Sequence, residues 1–396
     1  MNIMFYQHQY PAFGGIETVT TILANRFAKD GNQVCIVSFT HKDGTDLLER
    51  LRTGVEWLEL PETNLDSPLN RTVLMSILVS FKPDRIIFQD SYANIHTMLF
   101  AVFDEWRKNQ NALSCICVEH SAPRGISSTS SNESKKGCFG VIRRLIISLL
   151  RPYFILCRFC YESKRRKILF DNSSKYVVLS RNYYPQIKKL VGKSRLHKLC
   201  AIPNPVIGST PASLAAKNKT VLFVGSLIPI KGVDILLRIW SKVERNHPEW
   251  RFVIVGDGPE RCPLIKQAAD LRLRHVSFEG FHKDTEAYYL GASIFVMASK
   301  FEGWPMVLGE AMKLGCVPVI FNSFASASDI IDDGTNGFMV KPFDMECFVQ
   351  KLEAVMNNHE MRAKMGHSAI IQMEKYDLDA VVSKWYTLFD SCGGGE

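Results

Sequence analysis

Residues 220–256 read TVLFVGSLIPIKGVDILLRIWSKVERNHPEWRFVIVG. The apolar run Thr220–Gly225 has the pattern of a buried strand, and Gly225, Pro229 and Gly232 punctuate the loop behind it. Val233, Leu236, Leu237, Trp240 and Val243 then recur at helical spacing, which places them on one face. A second apolar run, Arg251–Gly256, follows. Strand, helix and strand in so short a span imply parallel strands joined by a right-handed crossover. The same grammar continues through His275–Glu279, Ile294–Ala298 and Val317–Phe321, so residues 220–376 are expected to form a doubly wound α/β domain.

The N-terminal half is written the same way. Strands are expected at Asn2–Tyr6, Val34–Phe39, Arg85–Gln89 and Cys115–Glu119, with helices opening at Gly14-Gly15 and covering Asn70–Phe81 and Asn94–Trp106. Between the halves, Ala201-Ile-Pro-Asn-Pro-Val and the small polar residues after it have the composition of a linker. The expected division is a first domain over 1–203, a linker over 204–219 and a second domain over 220–376. A chain of 396 residues with 46% hydrophobic residues can fill two cores, and 22% charged residues with 25 Gly and 17 Pro argue against global disorder or a low-complexity polymer.

Met1-Asn-Ile-Met-Phe-Tyr has no basic region ahead of an apolar stretch, so a secreted protein is not expected. Eleven Cys, an odd number scattered from Cys35 to Cys392, suit a reducing compartment. Cys115-x-Cys117 and Cys157-x-x-Cys160 have no partner pair at zinc-ribbon spacing and read as buried or incidental thiols.

In open α/β sheets ligands bind outside the carboxyl ends of strands, so the loops there are where chemistry is sought. One is Gly225-Ser226 through Lys231-Gly232, with a lysine just ahead of a helix. The next, Gly256-Asp-Gly258-Pro259, is a tight turn that falls short of G-x-G-x-x-G because position 261 is Arg. The most informative is Ser299-Lys-Phe-Glu302-Gly303-Trp304-Pro305-Met306-Val307-Leu-Gly-Glu310. Pro305 marks a helix start, where free backbone N–H groups and the dipole suit a phosphate, and Gly303 leaves room for a ligand to approach. Glu302 and Glu310 flank that anion site, where carboxylates accept hydrogen bonds from sugar and ribose hydroxyls. Taken alone, the pair also fits solvated acids at a helix start, Lys231 a surface lysine, and Gly256 and Gly258 plain turn residues.

Glu302 and Glu310, with seven residues between them, resemble the E-x7-E motif of retaining glycosyltransferases of the GT-B fold, family 4. Other matches fall in family order: Gly14-Gly15-Ile16-Glu17, Val118-Glu-His120, Ile202-Pro-Asn204-Pro-Val, Gly225 to Gly232, Val255-Gly-Asp-Gly258-Pro and Asp333-Gly-Thr-Asn-Gly337-Phe. The similarity covers nearly all of residues 1–390 and is weak over 124–175. It implies two Rossmann-like domains facing each other across a cleft, with a terminal helix over 377–396 crossing back to the N-terminal domain. It further implies a nucleotide-diphosphate sugar as donor substrate and no cofactor. Lys231 would contact the diphosphate, Glu310 the ribose, and Glu302 the transferred sugar, which His120 would also approach. Gly225, Ser226, Gly303 and the backbone of Pro305, Met306 and Val307 would surround the phosphates, and Gly15 would line the cleft from the other domain.

One departure stands out: many relatives have Arg where this chain has Ser226, which leaves Lys231 as the main cation unless Arg124 or Arg181 compensates. No Asp-x-Asp motif of the sort that holds a divalent ion on a diphosphate stands out, so metal independence is expected. The resemblance implies transfer to a lipid-linked or oligosaccharide acceptor in surface polysaccharide synthesis. A catalytically idle scaffold and a nucleotide-sugar epimerase are the alternatives.

Charge is uneven. The whole chain carries +8, and between Glu133 and Asp171 ten basic residues face three acidic ones, a net of +7. Arg143, Arg144, Arg151 and Arg158 interrupt the apolar residues there, so no uncharged run reaches the ~18 residues of a spanning helix. The segment is expected to be an interfacial amphipathic element whose arginines meet anionic lipid, or else a domain helix with a solvated basic face. No nucleic-acid module accompanies the charge. The expected location is cytoplasmic, peripheral at the inner face of the cell membrane.

Overall fold

A parallel strand with both faces covered must be largely apolar, and that is how the inner strands here are built. The computed structural model describes residues 1–64, 67–89, 96–107, 114–123, 138–208, 214 and 217–393. It contains two compact units, one of residues 1–201 with 387–396 and one of residues 202–386.

The strands of the first unit are β1 (Asn2–Gln9), β2 (Gln33–Thr40), β3 (Val55–Glu59), β4 (Arg85–Phe88), β5 (Ser114–Glu119), β6 (Lys175–Val178) and β7 (Leu199–Ala201). They form one parallel sheet in the order β3-β2-β1-β4-β5-β6-β7. Phe5 lies opposite Ile36 on one side and Ile87 on the other, and all three are fully buried. The helix Gly15–Lys29 buries Val19, Leu23 and Phe27. The helix Pro68–Phe81 starts at Ser67, whose hydroxyl accepts from the N–H groups of Leu69 and Asn70. Residues 387–393 of the terminal helix Leu378–Gly393 belong to this unit: Phe389 is buried against Phe27, and its carbonyl accepts from Arg85 Nη2 at 3.0 Å.

The second unit has β8 (Asn218–Val224), β9 (Arg251–Val255), β10 (Val276–Gly280), β11 (Ala292–Met297), β12 (Val317–Phe321) and β13 (Phe338–Val340), again parallel, in the order β10-β9-β8-β11-β12-β13. The helix Val233–Val243 buries the five side chains its periodicity selects, with Trp240 on Phe252 at 5.7 Å between ring centres. Burial of each contributes roughly 1.5–3 kcal/mol. Chain order reverses between β8 and β11, so the topological switch point falls between the loops that follow these two strands.

Cys138–Asp171 is a single helix of 34 residues. Among the described residues no helix is long and apolar enough to cross a membrane. One expectation needs correction. Arg165 and Arg166 do not join a solvated or lipid-facing basic face: both are buried, Arg165 against Glu162 and Arg166 against Glu119 and Glu162. Of the thiols read as buried or incidental, Cys115 and Cys117 are buried, and Cys157 and Cys160 are exposed. Arg124 and residues 133–137 of the basic segment lie outside the described residues, as do the side chains of Arg143, Arg144 and Arg151.

Candidate active site

The loops after β8 and β11 are knitted together. Behind β8 the chain passes Gly225 and the exposed Ser226, makes a 3-10 turn over Pro229–Lys231, and enters the helix Val233–Val243 through Gly232. Gly232 has φ +68, and a Cβ there would collide with the Ala298 carbonyl at the end of β11. Only glycine satisfies both the left-handed backbone and the close approach. Lys300 N–H donates to the Ile230 carbonyl at 2.7 Å, which fixes the second loop against the first.

That join sets Lys231 Nζ 2.7 Å from Glu302 Oε1, both side chains mostly withdrawn from solvent. These residues lie 71 positions apart, and the family resemblance implies contacts with different parts of a ligand; the fold brings them into one ion pair. Gly303 carbonyl accepts from the buried Ser326 hydroxyl at 2.7 Å, so the turn after Glu302 is held from the β12 side. The helix Met306–Lys313 begins behind Pro305, and the N–H groups of Met306 and Val307 stand at its first turn, ahead of any helical acceptor. One turn on, Glu310 is half-buried with Tyr289 OH donating to Oε2 at 3.0 Å. Burial raises the Glu310 carboxyl above its usual range, and the Tyr289 hydrogen bond offsets part of that rise.

Gly256 belongs to packing: it has φ +137, and a Cβ would strike the Gly225 carbonyl. Its neighbour Gly258 abuts Leu227 in the same way, so the turn supports the Lys231 loop from behind.

His120 and Gly15 are in the first unit. His120 follows β5, half-buried, with Nε2 2.5 Å from Gln89 Oε1 at the end of β4. Burial lowers its pKa to about 4, so near neutral pH the ring is uncharged. In that state Nε2–H donates to Gln89 and Nδ1 is left as an acceptor; the ring serves hydrogen bonding and does not supply a positive charge. Gly15 opens the helix Gly15–Lys29, and the Glu17 carboxylate lies over Gly14. Arg181 is exposed in the turn after β6 of the same unit. Among the described residues no three His, Cys, Asp or Glu side chains cluster as metal ligands.

The spacing of the sequence did not point to Tyr289 or Gln89. Gln89 carried a usable signal, being the one polar residue at the carboxyl end of an apolar strand. Tyr289 carried none, because its meeting with Glu310 depends on how the helix Glu286–Gly291 turns into β11.

Residues 210–372 match the model of glycosyl transferases group 1. That match lies within the second unit. Among its relatives, an uncharacterized glycosyltransferase of Haemophilus influenzae is 31% identical over 195 residues, 49% of this chain and 55% of that protein. The Campylobacter jejuni GalNAc-alpha-(1->4)-GalNAc-alpha-(1->3)-diNAcBac-PP-undecaprenol alpha-1,4-N-acetyl-D-galactosaminyltransferase is 28% identical over 173 residues, 43% of this chain and 48% of that protein. The chain thus spans about half the length of these relatives. In structure it resembles Anabaena HepE in complex with UDP, with a TM-score of 0.75 at 17% identity over 99% of this chain and 100% of that one. The two units therefore have the GT-B fold.

Proposed function

We propose that this chain transfers a sugar from a nucleotide-diphosphate donor to a lipid-linked glycan in surface polysaccharide synthesis, with retention of anomeric configuration, without a metal, and at the cytoplasmic face of the membrane. The observation that carries it is the group of Lys231, Glu302, the Met306 helix start and Glu310 at the switch point of the second sheet. Glycosyl transfer needs charge stabilisation on the departing diphosphate and a fixed sugar. Lys231 and the N–H groups of Met306 and Val307 supply the first. Glu302 takes the sugar hydroxyls, and Glu310, through the oxygen that Tyr289 does not occupy, takes the ribose. His120 meets the transferred sugar as a neutral donor or acceptor, and Gly15 gives the donor a surface free of side chain. The printed names of the relatives support the substrate classes: one structure holds UDP, and one transferase acts on an undecaprenol-linked glycan.

Ser226, exposed and without charge, favours one rival, a catalytically idle scaffold. Incubation of the protein with labelled sugar nucleotides and a lipid-linked acceptor separates the cases. Labelled glycan is expected; intact donor would leave the scaffold, and an isomerised donor would mean an epimerase.

The Glu310 assignment has its own test. Tyr289→Phe removes the donor to a half-buried carboxylate and should weaken nucleoside diphosphate binding by ~1.5–3 kcal/mol, the range for a hydrogen bond to a charged group. Because that donor holds the carboxyl down, its loss should also move the acid limb of binding to higher pH. Calorimetric titrations that show neither change would detach Tyr289 from the site.

A further inference from the structure

The helix Cys138–Asp171 is amphipathic in the reverse of the usual sense over its described side chains. Its buried face carries the charges: Glu162, Arg165 and Arg166, with Ser163, Leu169 and Phe170, are turned into the first unit. Its outer face carries the rings and aliphatics. Tyr153 is 64% exposed, Phe154 58%, Leu156 58%, Tyr161 52% and Ile168 36%. At helical spacing Tyr153, Cys157, Cys160, Tyr161, Lys164 and Ile168 fall in one stripe, flanked by Phe154 and Leu156. A stripe from Tyr153 to Ile168 is about 22 Å long at ~1.5 Å per residue.

Water is a poor environment for such a face, since contiguous exposed apolar surface marks an interaction site. Charge indicates which partner. Lys164 and Lys167 are exposed within the stripe, and Arg158 is half-buried at its side. Of the helix's two acids, Glu162 points inward to Arg165 and Arg166, and Asp171 is held by Arg195 at 2.7 and 2.9 Å. Among the described residues the outer face is thus aromatic and aliphatic at one end and positively charged at the other. Aromatic residues that sit at the headgroup level, with lysines reaching phosphate, are the composition of a helix lying in a bilayer interface.

We infer that the outer face of residues 153–168 docks on an anionic phospholipid bilayer, with Tyr153, Phe154, Leu156 and Tyr161 entering the headgroup boundary and Lys164 and Lys167 contacting lipid phosphates. This deepens the membrane part of the function proposed above by naming the face, and it changes which charges act: Arg165 and Arg166 serve the interior. Apolar insertion resists salt, whereas the lysine contribution is screened within about 8 Å at physiological ionic strength.

The test is cosedimentation of the full chain with phosphatidylcholine vesicles with and without phosphatidylglycerol. Binding is expected to the anionic vesicles and to survive high salt in part. Phe154→Ser with Leu156→Ser should lower partitioning by roughly tenfold or more, the scale for losing buried apolar side chains. Lys164→Glu with Lys167→Glu should lower it on anionic vesicles only, by roughly fivefold per lost charge. All four positions are exposed, so the melting temperature should hold in both variants. Absence of vesicle binding, or equal binding by the Phe154/Leu156 variant, overturns the inference. So does a wild-type dimer that the same variant dissociates, since a second copy would then cover the stripe. Nucleoside diphosphate binding measured on the same preparations reports the second unit separately, so a failure here is distinct from a failure of the glycosyltransferase reading.

Discussion

Lys231→Ala is expected to lower kcat/KM by ~10²–10³, the scale for losing one group that stabilises developing charge, and to weaken nucleoside diphosphate binding by ~1.5–3 kcal/mol. Its position is fixed from two sides, by the left-handed Gly232 and by Ala298 beneath it, so the ammonium is presented by a loop with little freedom. With Ser226 in the same loop there is no guanidinium at that place to share the charge. The ion pair sharpens the prediction. Glu302 Oε1 holds Lys231 at 2.7 Å, so an arriving diphosphate competes with a carboxylate for the same cation. Glu302→Gln removes that competitor and should raise nucleoside diphosphate affinity, while turnover falls because a neutral amide replaces the carboxylate that accepts from the sugar hydroxyls. The two halves of one pair should therefore move affinity in opposite directions. Equal affinity in wild type and Lys231→Ala, by calorimetry with the nucleoside diphosphate that most raises the melting temperature, would exclude Lys231 from the phosphate site.

That pair also marks where sequence stops being informative. Strands β8 to β12 of the second unit could be read to within about two residues, because a buried parallel strand is continuously apolar and its helix is periodic, whereas the short β13 was not read. β3 was not read: Val-Glu-Trp-Leu-Glu alternates with charge because it is the edge strand of its sheet and only partly covered. β6 and β7, at 4 and 3 residues, are shorter than any window in which a period can be counted; β6 forms on the edge that β5 offers, and β7 on the edge of β6. At the site, residue types in the loops after strands pointed to Lys231, Glu302 and Glu310, since chemistry restricts which residues suit phosphates and hydroxyls, whereas His120 came only from the family resemblance. Partnership was not legible. Lys231 with Glu302, Tyr289 with Glu310 and Gln89 with His120 are products of strand order, and strand order is set by packing far from each residue. The basic segment misled in one respect, because sequence counts charge without showing which way it turns.

Arg166 shows what inward charge means for stability. Its guanidinium is 1% exposed and forks onto Glu119, with Nε to Oε2 at 3.1 Å and Nη2 on Oε1, while Nη1 reaches Glu162 Oε2 at 2.6 Å. Tyr176 OH donates to Glu119 at 2.8 Å, and Arg165 Nη2 to Glu162 at 3.0 Å. Two cations and two anions balance, so the interior carries no net charge there. Truncation breaks the balance: Arg166→Ala leaves Glu119 buried without its cation and is expected to cost about 3–5 kcal/mol. Replacing both members, Arg166→Met with Glu119→Leu, should recover part of that loss, since a buried pair is often matched by apolar residues of similar volume. Acid should act in the same direction. Burial alone would raise the Glu162 carboxyl, but Arg165 and Arg166 outweigh it and hold it below its ordinary range. The stabilisation is therefore present above the unfolded carboxyl's pKa and is lost as pH falls through the lower folded value, in wild type and less so in Arg166→Ala. Denaturant unfolding of the three proteins at neutral and acid pH measures all of this. Glu119 is the residue before His120, so the same cluster holds the strand end that presents the imidazole. Arg166→Ala should thus lower turnover even at temperatures where it remains folded. Equal stability and turnover in wild type and Arg166→Ala would show that neither the fold nor His120 depends on the cluster.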